Sequence, residues 1–271
     1  MASERIVVDQ MGYEVGVPHI PRRIISLVPS QTELIHDLGY SDSLVGITKF
    51  CIHPKHLLKE KSIIGGTKDF RFDVIDQLKP DLIIGNKEEN YEEGINILKK
   101  KYPVWMSDIY NLNDSLSMIE SLGSILNANE QAQKLVSLIN SSFANVNPPK
   151  RYKALYFIWN LPKMVAGSHT FINEMLNVAG FDNAAPSARY PELSNDEIKT
   201  LNPEVVLLSS EPFPFKEKHI NQFRDLVPGA IIKIVDGELF SWYGSRLKLA
   251  PDYFIQVHQK ISQQVGNLSN N

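Results

Sequence analysis

The sequence predicts an α/β chain: two similar α/β lobes with mostly parallel sheets, joined by one long backbone helix. Three observations carry this prediction. Short apolar runs of strand length alternate with helical segments. The alternation pauses at a long helical stretch and restarts after Asn147-Pro148-Pro149-Lys150. One block of the first half also returns in the second half at a fixed offset. The expected divisions are an N-terminal lobe over 1–126, a linking helix over 127–147 and a C-terminal lobe over 148–271.

Ile6-Val7-Val8 and Glu14 to Val17 flank Gly12 and read as a small hairpin, closed by Pro18 and Pro21. Ile24 to Val28 is a short β-branched run without alternation, which suits a strand buried on both faces. A helix with a hydroxyl cap follows from Pro29-Ser30 and stops at Gly39. Leu44 to Ile47 is a strand, Phe72 to Leu78 a helix ended before Pro80, and Leu82 to Gly85 a buried strand. Glu92 to Lys101 is a helix and Val104 to Met106 a strand. Asp114 to Leu126 is amphipathic, and Asn127-Ala128-Asn129 breaks it. The next helix keeps apolar spacing through Ala132, Leu135, Val136, Ile139 and Phe143, and residues 129–146 would span about 27 Å. No Gly/Ser linker occurs, so the link is stiff. Ala154 to Trp159 restarts the strands; Thr170 to Val178 is a helix ending at Gly180. Asp196 to Leu201 is a helix, Val205 to Leu208 and Ile231 to Val235 are strands, and Pro251 to Val265 is the closing helix.

The echo is specific. Asp73 to Leu78, Pro80 and the strand after it reappear as Asp196 to Leu201, Pro203 and its strand, 123 residues later. Glu33-Leu-Ile-His-Asp-Leu-Gly39 is echoed by Glu174-Met-Leu-Asn-Val-Ala-Gly180. Two echoes in the same order favour two lobes of one design.

Composition sets the outer bounds. The chain has 271 residues, 43% of them apolar and 22% charged, which fits a folded protein of about two domains. Its 28 basic and 31 acidic side chains leave a net charge of −3, so no nucleic-acid partner is expected. The single cysteine, Cys51, excludes an intramolecular disulfide and zinc sites made of paired cysteines. No apolar segment follows Met1-Ala2-Ser3-Glu4-Arg5, so the chain as written is expected in the cytoplasm. It would be periplasmic or surface-anchored if an export signal had been removed.

Asp9-x-x-Gly12, Pro21-Arg-Arg-Ile-Ile-Ser26-Leu-x-Pro29-Ser-x-Thr32-Glu33 and Leu38-Gly39, with Leu78-Lys-Pro80-Asp81-Leu-Ile, resemble the substrate-binding proteins of iron-siderophore, haem and cobalamin ABC importers. The pattern is nearest the cobalamin-binding branch. The resemblance covers about residues 6–265 and implies a ligand held in the cleft between two lobes. It implies that Ala154 to Trp159, Gly167, Tyr190-Pro191 and Phe240 to Arg246 build the second lobe's half of that cleft. It also implies permease docking through one acid per lobe, here Asp73 and Asp196. Helix N-terminal acids favoured by the macrodipole would explain the same two residues. The chain departs from the branch at Asn86 and Tyr190, where that branch has tryptophans, and Lys49 to His53 has no tyrosine to ligate haem.

Ligands in open α/β sheets meet the carboxyl ends of strands. The residues expected there are Pro29, Ser30, Phe50, His53, Asn86, Lys87 and Glu88 in the first lobe. In the second they are Trp159, Tyr190, Glu211, Trp242, Tyr243 and Arg246. Trp242 and Tyr243 are broad surfaces with polar tips, and Arg246 could grip a carboxylate or phosphate with two hydrogen bonds. Core packing is the competing account for Trp159, and a solvated loop for Lys87-Glu88. Cys51 and His53 are weak metal candidates, because the spacing matches no strong zinc pattern. A buried thiol beside a loop histidine is the favoured reading.

The expected function is non-enzymatic capture of a small metal chelate, iron-siderophore or corrinoid, by a monomer that needs no cofactor; the resemblance implies an importer permease as its partner. The alternatives are a cytosolic sensor or chaperone for a metal complex, and a metal-assisted enzyme using Cys51, His53 and Glu88.

Overall fold

The computed structural model describes residues 4–269; Met1–Ser3, the start of the N-terminal reading, lie outside the described residues. The chain divides into two units. One takes in the chain up to Ile109, Asn113–Leu138 and Tyr243–Arg246; the other takes in Tyr110–Leu112, Ile139–Trp242 and the chain from Leu247.

The first unit opens with the expected hairpin, β1 (Glu4–Val8) antiparallel to β2 (Glu14–Pro18). Gly12 turns it at φ +85°, where a side chain would be strained. The Asp9 carboxylate holds the turn by accepting the amides of Met11 and Tyr13. After β3 (Ile24–Ser26), α1 (Pro29–Asp37) and β4 (Leu44–Ile47) come α2 (Leu57–Glu60), β5 (Ser62–Ile63), β6 (Gly65–Gly66) and β7 (Asp69–Phe70). Then follow α3 (Phe72–Leu78), β8 (Leu82–Asn86), α4 (Glu92–Lys99), β9 (Val104–Ser107) and α5 (Leu112–Ile125). The sheet order is β5-β4-β3-β8-β9, with every pairing parallel. Ile24, Ile25, Leu82, Ile83 and Ile84 are wholly buried, as runs without alternation require.

The hydroxyl cap expected on α1 is absent. Val28 is the N-cap and bonds through no side chain, Pro29 takes the first turn, and Ser30 and Thr32 are buried within the helix. Proline serves here because the first helical amide has no partner inside the helix to lose.

Helix α6 (Asn129–Phe143) runs out of the first unit, and the second begins at Ile139 within it. Its end falls short of the expected 146. Asn145 turns its side-chain amide back onto the Ser141 carbonyl at 3.0 Å and satisfies the helix terminus there.

The second unit continues with β10 (Tyr152–Trp159), β11 (Met164–Val165), α7 (Phe171–Val178), β12 (Phe181–Asn183), α8 (Asn195–Leu201) and β13 (Val205–Ser209). It closes with α9 (Glu217–Leu226), β14 (Ile231–Val235), α10 (Gly237–Ser241) and α11 (Ala250–Ser269). The order is β11-β10-β13-β14, with β12 also on β10; only the short β11 is antiparallel. Leu155, Phe157, Val206, Leu208, Phe215 and Phe223 pack one core beneath α8 and α9.

The internal echo is structural. Helices α3 and α8 each have seven residues and begin 123 positions apart. Each ends on a left-handed residue, Lys79 at φ 47° and Asn202 at φ 45°. The acid after each proline does the same job. Asp81 accepts the amides of Arg22 and Arg23 ahead of β3, and Glu204 accepts the amide of Lys153 in β10.

Candidate functional site

Parallel strands end on the same side of their sheet, so the loops after them collect functional groups. In the first unit the end of β8 places Asn86, which is almost wholly buried. Its Nδ2 donates to Ser107 Oγ at 2.9 Å, and its Oδ1 accepts the amides of Glu88 and Glu89 at 2.9 and 3.0 Å. Asn90 Oδ1 accepts the Asn86 amide at 2.9 Å, and Gln31 Nε2 donates to Ser107 Oγ at 2.6 Å. Asn86 therefore frames the loop. The sequence reading gave it to the ligand; the structure directs its side chain into the protein. The same loop presents Lys87, half exposed and paired with Asp108 at 2.6 Å, and Glu88, whose carbonyl accepts Lys68 Nζ at 2.9 Å.

Pro29 and Ser30 lie at the start of α1, Ser30 buried. Phe50 is 49% exposed, with the Lys49 ammonium 5.2 Å from its ring centre. Cys51 is buried, its sulfur 3.1 Å from Thr32 Oγ1 and 3.2 Å from Thr48 Oγ1. Burial pushes the thiol up, against the opposing hydrogen bonds of Thr32 and Thr48, so it is neither a ready nucleophile nor a ready ligand. His53 is half buried in the next loop. Among the described residues no three His, Cys, Asp or Glu side chains gather as a metal site.

Two expectations for residues 242–246 need correction. Arg246 was read as a grip for a ligand anion, but its fork is met by Glu33: Nε to Oε2 and Nη2 to Oε1, both 2.8 Å. Tyr243, read as an open ligand surface, is buried in the first unit. Burial drives its hydroxyl well above the usual phenol range, and the Glu89 charge adds to the rise. Polar neighbours in sequence did not keep the ring at the surface, because Gly244, at φ +100°, turns the chain in against α1 and α5.

In the second unit Trp242 is also buried, and its indole N–H donates to Glu211 Oε1 at 2.7 Å. Ser241 Oγ donates to the same oxygen at 3.1 Å. Burial raises the Glu211 carboxyl, these two hydrogen bonds lower it, and Glu238 and Asp236 add upward pressure. Trp159 is the contrast. It ends β10 at 40% exposure, with Leu161 beside it at 75%. Its ring stands edge-on to Phe213 at 5.5 Å, and its N–H is held by the Leu161 carbonyl at 3.0 Å. Behind Phe213 stand Phe215 at 4.8 Å and His219 at 5.3 Å. Tyr190 is half buried, with the Arg189 guanidinium 5.6 Å over its ring. Asp73 and Asp196 are exposed in the first turns of α3 and α8.

Sequence reasoning places Asn90 and Ser107 at strand ends, but misses the parts played by Glu33, Gln31 and Phe213. Glu33 and Thr32 stand in the quoted Pro29–Glu33 motif, which was a usable signal. Phe213, between Pro212 and Pro214, carried none.

Two α/β units with parallel sheets, each ending its strands in polar and aromatic loops, define a binding protein of the periplasmic kind. Over residues 24–227 the sequence matches the family described as Periplasmic binding protein, and the chain belongs to that family. Among its relatives is an ABC transporter substrate-binding lipoprotein, YvrC, of Bacillus subtilis, 26% identical over 73% of this chain and 67% of the relative. The vitamin B12-binding protein of Yersinia pestis is 25% identical over 69% of each chain. In fold, the chain is similar to the petrobactin-binding protein YclQ of Bacillus subtilis, with TM-score 0.76, 16% identity and coverage of 96% of this chain and 98% of that one. No helix among the described residues is long and apolar enough to cross a membrane.

Proposed function

We propose that this chain captures a small metal chelate or corrinoid-like molecule and delivers it, chemically unchanged, to the permease of an ABC importer. Family membership supports binding over catalysis, and the ligand named for the Yersinia pestis relative supports the ligand class. The relative that is a lipoprotein supports work outside the cytoplasmic membrane, and the cytoplasmic placement expected from the N-terminus alone has no such support. No resident cofactor is required.

The observation that carries the reading is Trp159. A large apolar ring left 40% exposed, and backed by a layer of aromatic rings, suits a flat or ring-rich ligand. Lys87, Glu88 and Tyr190 supply polar contacts near the strand ends of their own units. Asp73 and Asp196 are the docking acids, one on each copy of the echoed helix.

Cyanocobalamin, haemin and ferric petrobactin, titrated separately against the whole chain, test this through tryptophan emission. The expected signal is quenching of tryptophan emission, saturating at one equivalent for at least one ligand. Trp159→Phe should move the midpoint of that titration to roughly tenfold higher ligand concentration. Failure of all three ligands to bind below about millimolar concentration would overturn the reading.

A further inference from the structure

His219 is a buried titratable side chain behind Trp159 that ligand capture does not use. It sits on α9 and keeps 6% exposure. Its ring lies edge-on to two others, Phe213 at 5.3 Å and 70° and Phe215 at 5.4 Å and 83°. Phe213 meets Trp159 in the same way, at 5.5 Å and 63°. Trp159, Phe213, His219 and Phe215 thus form a chain of rings from the half-exposed indole to the core.

The place of the imidazole in its helix sets its protonation. Lys216 is the N-cap of α9 and His219 the third helical residue. The Lys216 amide donates to His219 Nδ1 at 2.8 Å, and the His219 amide donates to the Lys216 carbonyl at 2.8 Å. This is the side-chain half of a capping box, in which glutamate or glutamine ordinarily takes the third position. Helix α8 has the ordinary form: Glu197 accepts the Ser194 amide at 2.7 Å and is exposed. A carboxylate between two phenyl rings would be costly to desolvate, whereas a neutral imidazole is not. Acceptance by Nδ1 uses its lone pair, so the proton of the neutral ring is on Nε2. A second proton would set two N–H groups against each other and place a cation at the positive end of a helix.

The charges around the ring do not offset that cost. Lys216, Glu217 and Lys218 of the same segment are exposed. Glu211, ahead of Phe213, turns its carboxylate to Trp242 and Ser241. Lys233 of β14 alternates away from α9, between Ile232 and Ile234, which pack on the core. The end of β10 brings Trp159 and Asn160, which carry no charge. No carboxylate pairs with the imidazole among the described residues.

We propose that His219 is a positioning residue for the Trp159 platform and makes it sensitive to pH: the neutral ring caps α9 and fixes Phe213 under Trp159, and the protonated ring releases both. The consequence, weaker ligand holding in acid, rests on the capture reading; the switch itself does not.

NMR of the whole chain from about pH 8 to about pH 5, the interval in which imidazoles change charge, tests the proposal. The His219 ring, the Lys216 amide and the Trp159 indole N–H, identified by its loss in Trp159→Phe, should shift with one midpoint. His219→Asn keeps an acceptor for the Lys216 amide and cannot titrate, so both N–H shifts should vanish in it. His219→Gln, the ordinary capping-box residue, is the second variant should the first not fold. For a ligand that binds in the titrations above, affinity should fall roughly tenfold across the interval in the parent and less than about twofold in the variant. Glu211 is present in both chains and cancels in the comparison. A His219 ring that takes no proton in the interval overturns the proposal. So does a Lys216 amide or Trp159 indole that stays still while the ring titrates, or a variant with the parent's pH dependence. If no ligand binds at any pH the capture reading falls, and the two N–H resonances alone decide the switch.

Discussion

Arg246 donates both arms of its guanidinium to Glu33, a residue 213 positions earlier in the chain, at 2.8 Å each. The two side chains keep only 12% and 16% exposure, so water does little to screen them. This pins Tyr243–Arg246 to the first unit while the chain on either side belongs to the second. Removing one partner leaves the other charge buried and unmet. Arg246→Met is expected to cost about 3 kcal/mol. Glu33→Met with Arg246→Met should cost clearly less than the two single changes added together, as read by urea unfolding. Additive losses would show that the pair is not coupled.

The docking proposal separates cleanly from ligand capture. Asp73 and Asp196 are side chains with 67% and 96% exposure. Replacing both with alanine should change stability by no more than about 0.5 kcal/mol each. Chelate affinity should hold, while uptake by cells or vesicles carrying the cognate permease should fall at least roughly tenfold. Uptake at the unmodified rate would leave the two acids as helix N-terminal charges and nothing more.

Phe213 is the support under Trp159. Phe213→Ala should cost about 1–2 kcal/mol, since the ring is half buried. It should also shift the emission of Trp159 to the red and weaken ligand binding several-fold without removing a contact to the ligand. Unchanged emission would mean that Trp159 keeps its place without the ring beneath it.

These residues also mark where sequence reading works and where it fails. The block from α3 to β8, and its copy from α8 to β13, could be read because Pro80 and Pro203 stop the helices and β-branched runs follow. The hairpin at Gly12 was legible for a similar reason. Helix α9 was not expected: Ile220, Phe223 and Leu226 are its apolar spine, set among charges and behind two prolines. At the site, Trp159 lies where a strand end puts it. The burial of Trp242 and Tyr243 depends on which distant segment the chain meets, and local polarity says nothing of that. Glu33 and Arg246 are likewise joined only by the fold, so Arg246 looked available for a ligand.

The burial of Glu211 is expected to make the second unit sensitive to pH. Its carboxyl is raised from the ordinary 4.5 chiefly by burial, although Trp242 and Ser241 donate to it, and Glu238 and Asp236 oppose its charge. Between 4.5 and the raised value the folded chain still holds a proton that the unfolded chain has released. Stability from this group is therefore full below the ordinary value, declines as pH rises through that window, and is level above it. Glu211→Gln keeps an acceptor for the Trp242 N–H and carries no charge. The variant should therefore lose less stability than the parent when melting is followed from pH 4.5 upward. Parallel melting curves for the two chains across that window would show that Glu211 ionises as freely in the folded protein as in the unfolded one.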